Sequence, residues 1–301
     1  LVERLGRLAE DARRFADDAD FAFLYDPKRR LLHLGYDAST GRLDANHYDL
    51  LASESRLASF VAIAKGDLPA RHWLHLGRPL ARVSKGTCLR SWSGTSFEYL
   101  MPGLLLRAPA KTILGESCDA AIAEQIAVGR RRGLPWGVSE SGLAELDAGG
   151  SYAYRAFGTR SLGLKRDTGA RFVVAPYASV LALTRRPGAV LDNLARLSAL
   201  GMLGRYGLYE ALDYGPTDAT RKPMPVRSYM AHHEGMILLS LCNALHDDRM
   251  VARLRVDARV RAFDLLLDER VPVAPTEASD APGGEALPPP APPLPAALTF
   301  P

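Results

Sequence analysis

Apolar residues recur three and four positions apart along most of this chain, and a chain with that period folds by burying helix faces rather than sheet faces. The period predicts an all-α fold, with helices over roughly 1–18, 46–65, 96–107, 113–132, 176–185, 187–201, 228–245 and 247–269, and a short one near 139–147. A β-hairpin is expected where 21–25 faces 31–36. Long segments near 66–95, 148–175 and 202–227 break the period and hold much of the Gly, Trp, Tyr and Arg. Ordered loops of that length on a helical scaffold commonly carry function.

With 301 residues, 47% of them apolar, the chain can build one sizeable core or two modest ones. That core belongs to residues 1–270. From 271 onward the composition changes, and 10 of the 21 prolines fall in the last 31 residues, PPPAPPLP among them. Such sequence buries too little to fold and is expected to be an extended, disordered linker. The start at Leu1 and the proline-rich end suggest a piece of a longer polypeptide. A net charge of +4 is mild, and the one basic run, Arg130-Arg131-Arg132 before Gly133, sits at an expected helix end, where cations complement the dipole. No second basic patch with interleaved aromatics accompanies it, which argues against nucleic acid as a partner. Cys88, Cys118 and Cys242 are odd in number and widely spaced, so neither a disulfide framework nor a CxxC metal site is implied, and a reducing compartment is expected. The apolar run at 236–245 is too short to span a bilayer.

Three carboxylates stand out. Glu54, on the expected helix 46–65, has Leu50, Leu51, Leu57 and Ala58 as same-face neighbours, while Asp49, Ser53 and Arg56 fall on another side. Burial in such a stripe raises a carboxyl pKa and suits a general acid. A Glu tied to backbone for structural reasons fits the stripe as well. Glu140 lies in GLPWGVSESG, where Pro135, Gly137 and Gly142 stiffen a loop and Trp136 offers a flat face for sugar stacking. Equally, Ser139 could cap a short helix with Glu140 at its dipole. Glu210, in LGRYGLYEALDYGPT, sits among Tyr206, Tyr209, Asp213 and Tyr214 and suggests a glycan surface or a polar helix start.

Other signals weaken on inspection. Glu98 follows Thr95 by three residues and reads as a capping box. His232-His233-Glu234 resembles a zinc HExxH motif, but Ile237 occupies the second histidine position. One of the two histidines is expected to bond a sugar hydroxyl and the other to sit satisfied in the core.

The stretches YDLLASESRLASFVAIAKG, SWSGTSFEYLMP, PWGVSESG, YRAFG with LGLKR, VVAPYAS, GRYGLYEALDY and SYMAHHEGM, in this order, resemble the glucoamylase-like middle domain of cyclic β-1,2-glucan synthases. The resemblance covers roughly residues 21–272. It implies an (α/α)6 toroid whose cleft binds β-1,2-glucan; about nine helices are predicted where a closed toroid needs twelve, so an incomplete ring is expected. It further implies a retaining glycosidase acting mainly as a transglycosylase that joins a chain to its own end. By motif, Glu54 takes the acid/base role and Glu140 the nucleophile role. Trp92, Trp136, Tyr154, Arg155, Tyr206, Tyr209, Glu210, Tyr229, His232 and His233 would bind substrate. The two carboxyls should then lie about 5–5.5 Å apart. No metal or organic cofactor is required for this chemistry. Flanking glycosyltransferase and phosphorylase-like domains, and a place at the cytoplasmic face of a bacterial inner membrane, are implied for the whole polypeptide. One departure is Glu234, where family members usually have glutamine. An endo-β-1,2-glucanase of the same fold and a non-catalytic glucan-holding module are the alternatives.

Overall fold

Helix α1 (Val2–Asp18) realises the first periodic stretch, and its apolar residues Leu5, Leu8 and Phe15 stay exposed. The computed structural model describes residues 1–83, 86–165, 171–216 and 222–270, and Leu1–Arg270 forms one unit. The stretch from 271, expected to be linker, lies outside the described residues.

After α1 come short strands β1 (Tyr25–Asp26), β2 (Leu31–His33), β3 (Tyr36–Asp37), β4 (Arg42–Leu43) and β5 (His47–Tyr48). Strands β1, β2 and β5 form one antiparallel sheet, and β3 pairs with β4. The expected hairpin is thus present, with Tyr25 opposite Leu32. Helix α2 (Arg56–Lys65) begins at Arg56, not near 46. Residues 47–48 form β5, which pairs with β2, and Leu51 N–H donates to Gly77 O (3.0 Å). Leu50 and Leu51 are buried either way, so the apolar pattern there did not separate helix from extended chain, and long-range pairing decided it.

Helix α3 (Arg71–His75) leads into the hairpin of β6 (Leu80–Val83) and β7 (Gly86–Leu89). Helix α4 (Ser96–Leu100) starts with the predicted capping box and passes into a 3₁₀ turn, Met101–Leu104, around Pro102. Helix α5 (Ile113–Arg132) is capped by the Thr112 hydroxyl, which accepts from Gly115 N–H, and stops at left-handed Gly133 after the three arginines.

The expected helix near 139–147 is instead strand β8 (Ser141–Leu146), paired with β9 (Tyr152–Arg155) in the register Gly142 opposite Tyr154. Then follow β10 (Arg171–Val174), α6 (Pro176–Val180), α7 (Pro187–Ala199), β11 (Leu203–Gly204), β12 (Gly207–Leu208), β13 (Ala211–Pro216) and β14 (Met224–Val226). Strands β10, β13 and β14 form a sheet over a core of Val138, Leu143, Phe157, Val173, Leu197, Met202 and Val226. Helix α8 (Ala231–Leu245) matches its expected span closely. The single helix expected over 247–269 is α9 (Arg249–Leu254), α10 (Ala258–Ala262) and a 3₁₀ turn, Asp264–Asp268. Asp257 restarts the chain there, because its carboxylate accepts from Arg259 N–H. The architecture is mostly helical with several small antiparallel sheets, not all-α.

Candidate active site

Glu54 stands on the turn just before α2, half-buried, with the Ser53 hydroxyl 3.1 Å from its Oε2. Beneath it Arg56 is buried rather than on a polar surface. Its guanidinium donates to the carbonyls of Ser53 (2.9 Å), Glu98 (2.7 Å) and Tyr99 (2.5 Å), which ties the Glu54 turn to α4.

Glu140 ends the loop between α5 and β8, and two buried side-chain amides fix that loop. Asn193 accepts from Trp136 N–H (3.0 Å) and donates to Trp136 O (2.8 Å). Gln125 does the same to Val138, at 2.8 Å each way. Gly137 has φ +123°, and a Cβ there would meet Ala175 O at 2.8 Å, so the loop needs glycine. The Tyr177 hydroxyl lies 2.9 Å from both Ser139 Oγ and Glu140 O.

These two elements bring Glu54 and Glu140 to one cavity of about 640 Å³. Leu31, His47, Tyr48, Asp49, Trp92, Glu98 and Lys165 also line it. Trp92 is 44% exposed, and its indole N–H is held by Asp49 Oδ1 at 2.7 Å, so the ring is fixed with a face available for stacking. Glu98 accepts four hydrogen bonds: from the Ser91 and Thr95 hydroxyls (2.9 Å each) and from Ser93 and Thr95 N–H (3.0 and 2.8 Å).

Burial is the main cause that raises both catalytic candidates. Glu140 is pushed up to about 7, by desolvation first and then by Glu54 and Glu98, with Lys165 opposing. Glu54 is raised by desolvation and by Glu98, while its own backbone, Ser53 and Arg56 pull it back. Each carboxyl is thus held above its ordinary range chiefly by burial, and Glu140 feels the charge of Glu54 besides. Tyr48, which faces both, is raised by burial and then by their charges.

Glu210 stands apart from this cavity. Its Oε1 accepts from Gly142 N–H (3.1 Å), and its Oε2 lies 2.8 Å from His233 Nδ1. His233 is the buried, satisfied histidine and stacks on Tyr177 at 3.7 Å, while His232 is exposed and lies 6.4 Å from the Tyr154 ring. The Tyr154 hydroxyl is 3.5 Å from His233 Nε2, and it is raised by burial first and then by the charges of Glu140 and Glu210. Tyr206, Tyr209 and Tyr229 form a separate cluster, with Tyr229 5.6 Å from Tyr206 and 5.5 Å from Tyr209. Arg155 is exposed on β9. Trp136 is only 5% exposed and does not line the cavity of Glu54 and Glu140; it packs on α5, where Gly129 leaves room. Its expected role as a sugar platform is therefore replaced by one in the core. Sequence reasoning did not single out Tyr48, Asp49, Lys165 or Tyr177, although all four lie within the stretches that carry the resemblance.

A family model described as "Putative glucoamylase" matches residues 129–254. Cyclic β-(1,2)-glucan synthase NdvB of Rhizobium meliloti (strain 1021) is 45% identical over 274 residues, which is 90% of this chain and 10% of that protein. The chain thus spans about a tenth of its curated relative. The fold is similar to a "putative glucoamylase" of Bacteroides caccae ATCC 43185 (TM-score 0.66, 18% identity). It is also similar to an endo-β-1,2-glucanase of Chitinophaga pinensis (TM-score 0.63, 15% identity). Each alignment covers 87% of this chain and 65% of the other. The chain is therefore similar over residues 129–254 to the family described as putative glucoamylase, and over most of its length to a segment of a cyclic β-(1,2)-glucan synthase.

Proposed function

We propose that this domain is a retaining transglycosylase that cyclises linear β-1,2-glucan. The observation that carries the reading is the shared cavity of Glu54 and Glu140, which come from elements 86 positions apart in sequence and press on each other electrostatically. In the first step Glu54 protonates the departing glycosidic oxygen while Glu140 attacks the anomeric carbon and forms a glycosyl ester. Glu54, now ionised, takes the proton from an incoming hydroxyl whose oxygen displaces Glu140. When that hydroxyl is the glucan's own far end, a ring leaves; when it is water, the product is linear. Identity to a cyclic glucan synthase over 90% of the chain supports the ring-forming outcome. The finer fold reading, an (α/α)6 toroid, is supported by likeness to the glucoamylase fold. Within a longer synthase the domain would work beside glycosyltransferase and phosphorylase-like domains at the cytoplasmic face of an inner membrane; among the described residues no helix is long and apolar enough to cross one.

Incubation with linear β-1,2-glucan followed by mass spectrometry separates the outcomes. Rings are one water lighter than the matching linear chains, linear fragments indicate the endo-glucanase, and unchanged glucan indicates a binding module. A second reading, with the roles exchanged, is favoured by the stronger rise at Glu140. Azide added to alanine variants decides it: an α-glucosyl azide from Glu140→Ala assigns Glu140 as nucleophile, whereas a β-azide from that variant exchanges the roles.

A further inference from the structure

The sheet of β1, β2 and β5 carries side chains that the glucan chemistry does not use. Asp26, His33 and His47 each offer one ligand atom, and these atoms lie within 4.8 Å of one another. Strand register produces the cluster, since His33 and His47 are direct partners across β2 and β5 and their rings lie 4.2 Å apart. The groups around them are oriented for a ligand role. Asp26 uses Oδ1 to accept from the N–H groups of Lys28 (2.8 Å) and Arg29 (3.1 Å), which leaves Oδ2 facing His47. His33 Nδ1 lies 2.6 Å from Asp44 O. A carbonyl only accepts, so Nδ1 carries the hydrogen and Nε2 keeps the lone pair, the arrangement that metal-binding histidines show.

His47 Nε2 stands 3.2 Å from Asp26 Oδ2. A charge-assisted hydrogen bond between such groups is usually about 2.7–2.9 Å. The edge of a tetrahedron with legs of about 2.0–2.1 Å is roughly 3.3 Å, which is the ligand spacing around zinc. We infer that Asp26, His33 and His47 form a site for a divalent transition metal of the zinc class, with the remaining position open to solvent. Two imidazoles select zinc, cobalt, nickel or copper over the hard ions magnesium and calcium, which prefer all-oxygen sites. The metal would staple β1, β2 and β5, and His47 and Tyr48 of β5 line the catalytic cavity, so its role is to hold that wall rather than to react.

Cobalt(II) titrated into the full chain, followed by visible absorption, tests this. The expected result is one equivalent bound with ligand-field bands of a four-coordinate ion, displaced by zinc. His33→Gln and Asp26→Asn should each weaken binding roughly tenfold or more, whereas His246→Gln should not. Absence of saturable binding in the wild-type chain overturns the site whatever the variants do. Binding that survives both substitutions, or that falls with His246→Gln instead, overturns it too.

Discussion

Three glutamates, Glu54, Glu98 and Glu140, line the same cavity, and they differ in what holds them. Glu98 accepts four hydrogen bonds from Ser91, Ser93 and Thr95, so its charge is compensated by fixed donors. That charge in turn pushes Glu54 and Glu140 upward. Glu98→Gln places an amide N–H₂ against the Ser93 or the Thr95 backbone N–H, which can only donate. It should destabilise the fold by about 1–3 kcal/mol, read as a lower denaturant midpoint. It should also shift the titration of Glu140 downward, because one of its negative neighbours is gone. A variant with unchanged stability would mean that the four contacts are not formed. The tryptophans make a contrasting pair. Trp92→Ala, at an exposed ring on the cavity wall, should raise KM with little change in melting temperature. Trp136→Ala, in the core against Gly129, should cost about 3–5 kcal/mol of stability. The opposite pattern would restore Trp136 as the sugar platform expected from its place near Glu140.

At the scale of elements, the Glu140 loop depends on side chains that belong to helices on either side of it. Gln125 on α5 satisfies both the N–H and the C=O of Val138, and Asn193 on α7 does so for Trp136. Gln125→Ala leaves the buried Val138 N–H without a partner, a loss worth about 1–3 kcal/mol, while Val138 O keeps the Ser96 N–H at 3.2 Å. Because Glu140 is two residues away, kcat should fall as well, and measuring both on one preparation checks that the loop and the chemistry are linked. None of this was visible in the spacing of apolar residues. Periodicity located α1, α5, α7 and α8 because each has a long period and sharp end signals, such as Gly133. It failed at 46–55 and 139–147, where short apolar runs bury equally well as strands and distant partners choose the conformation. Glu54 was singled out from a helical stripe that does not exist at Leu50 and Leu51, yet those residues are buried and the carboxyl is partly desolvated all the same. Arg56 misled for the reverse reason: its contacts are carbonyls of α4, which no local pattern encodes. The Asp26, His33 and His47 cluster has no motif spacing either, since cross-strand register assembles it.

For the molecule as a whole, desolvated acids at the site oppose stability at neutral pH. Glu140 ordinarily titrates at 4.5 and is raised to about 7 in the folded chain. Between those values the folded state binds this proton more tightly than the unfolded state does, so stability falls as pH rises through the window and levels off above it. Glu54 contributes in the same direction. Asp213 works the other way: burial would raise it, but Arg171 and the Ala144 and Gly215 N–H groups together outweigh that and lower its pKa, so its stabilisation is present above the ordinary carboxylate range and lost toward acid. The net pH profile therefore mixes opposing slopes, and the useful quantity is the difference between a variant and the wild type. Glu140→Gln removes one raised carboxyl while keeping its shape. Its stability advantage over the wild type should be small near pH 4, grow between about 4.5 and 7, and stay constant above that. Paired denaturant titrations at half-unit intervals from pH 4 to 8 give this difference directly. A difference that does not change across that range would mean that Glu140 titrates alike in the folded and unfolded chain, so that burial does not raise it.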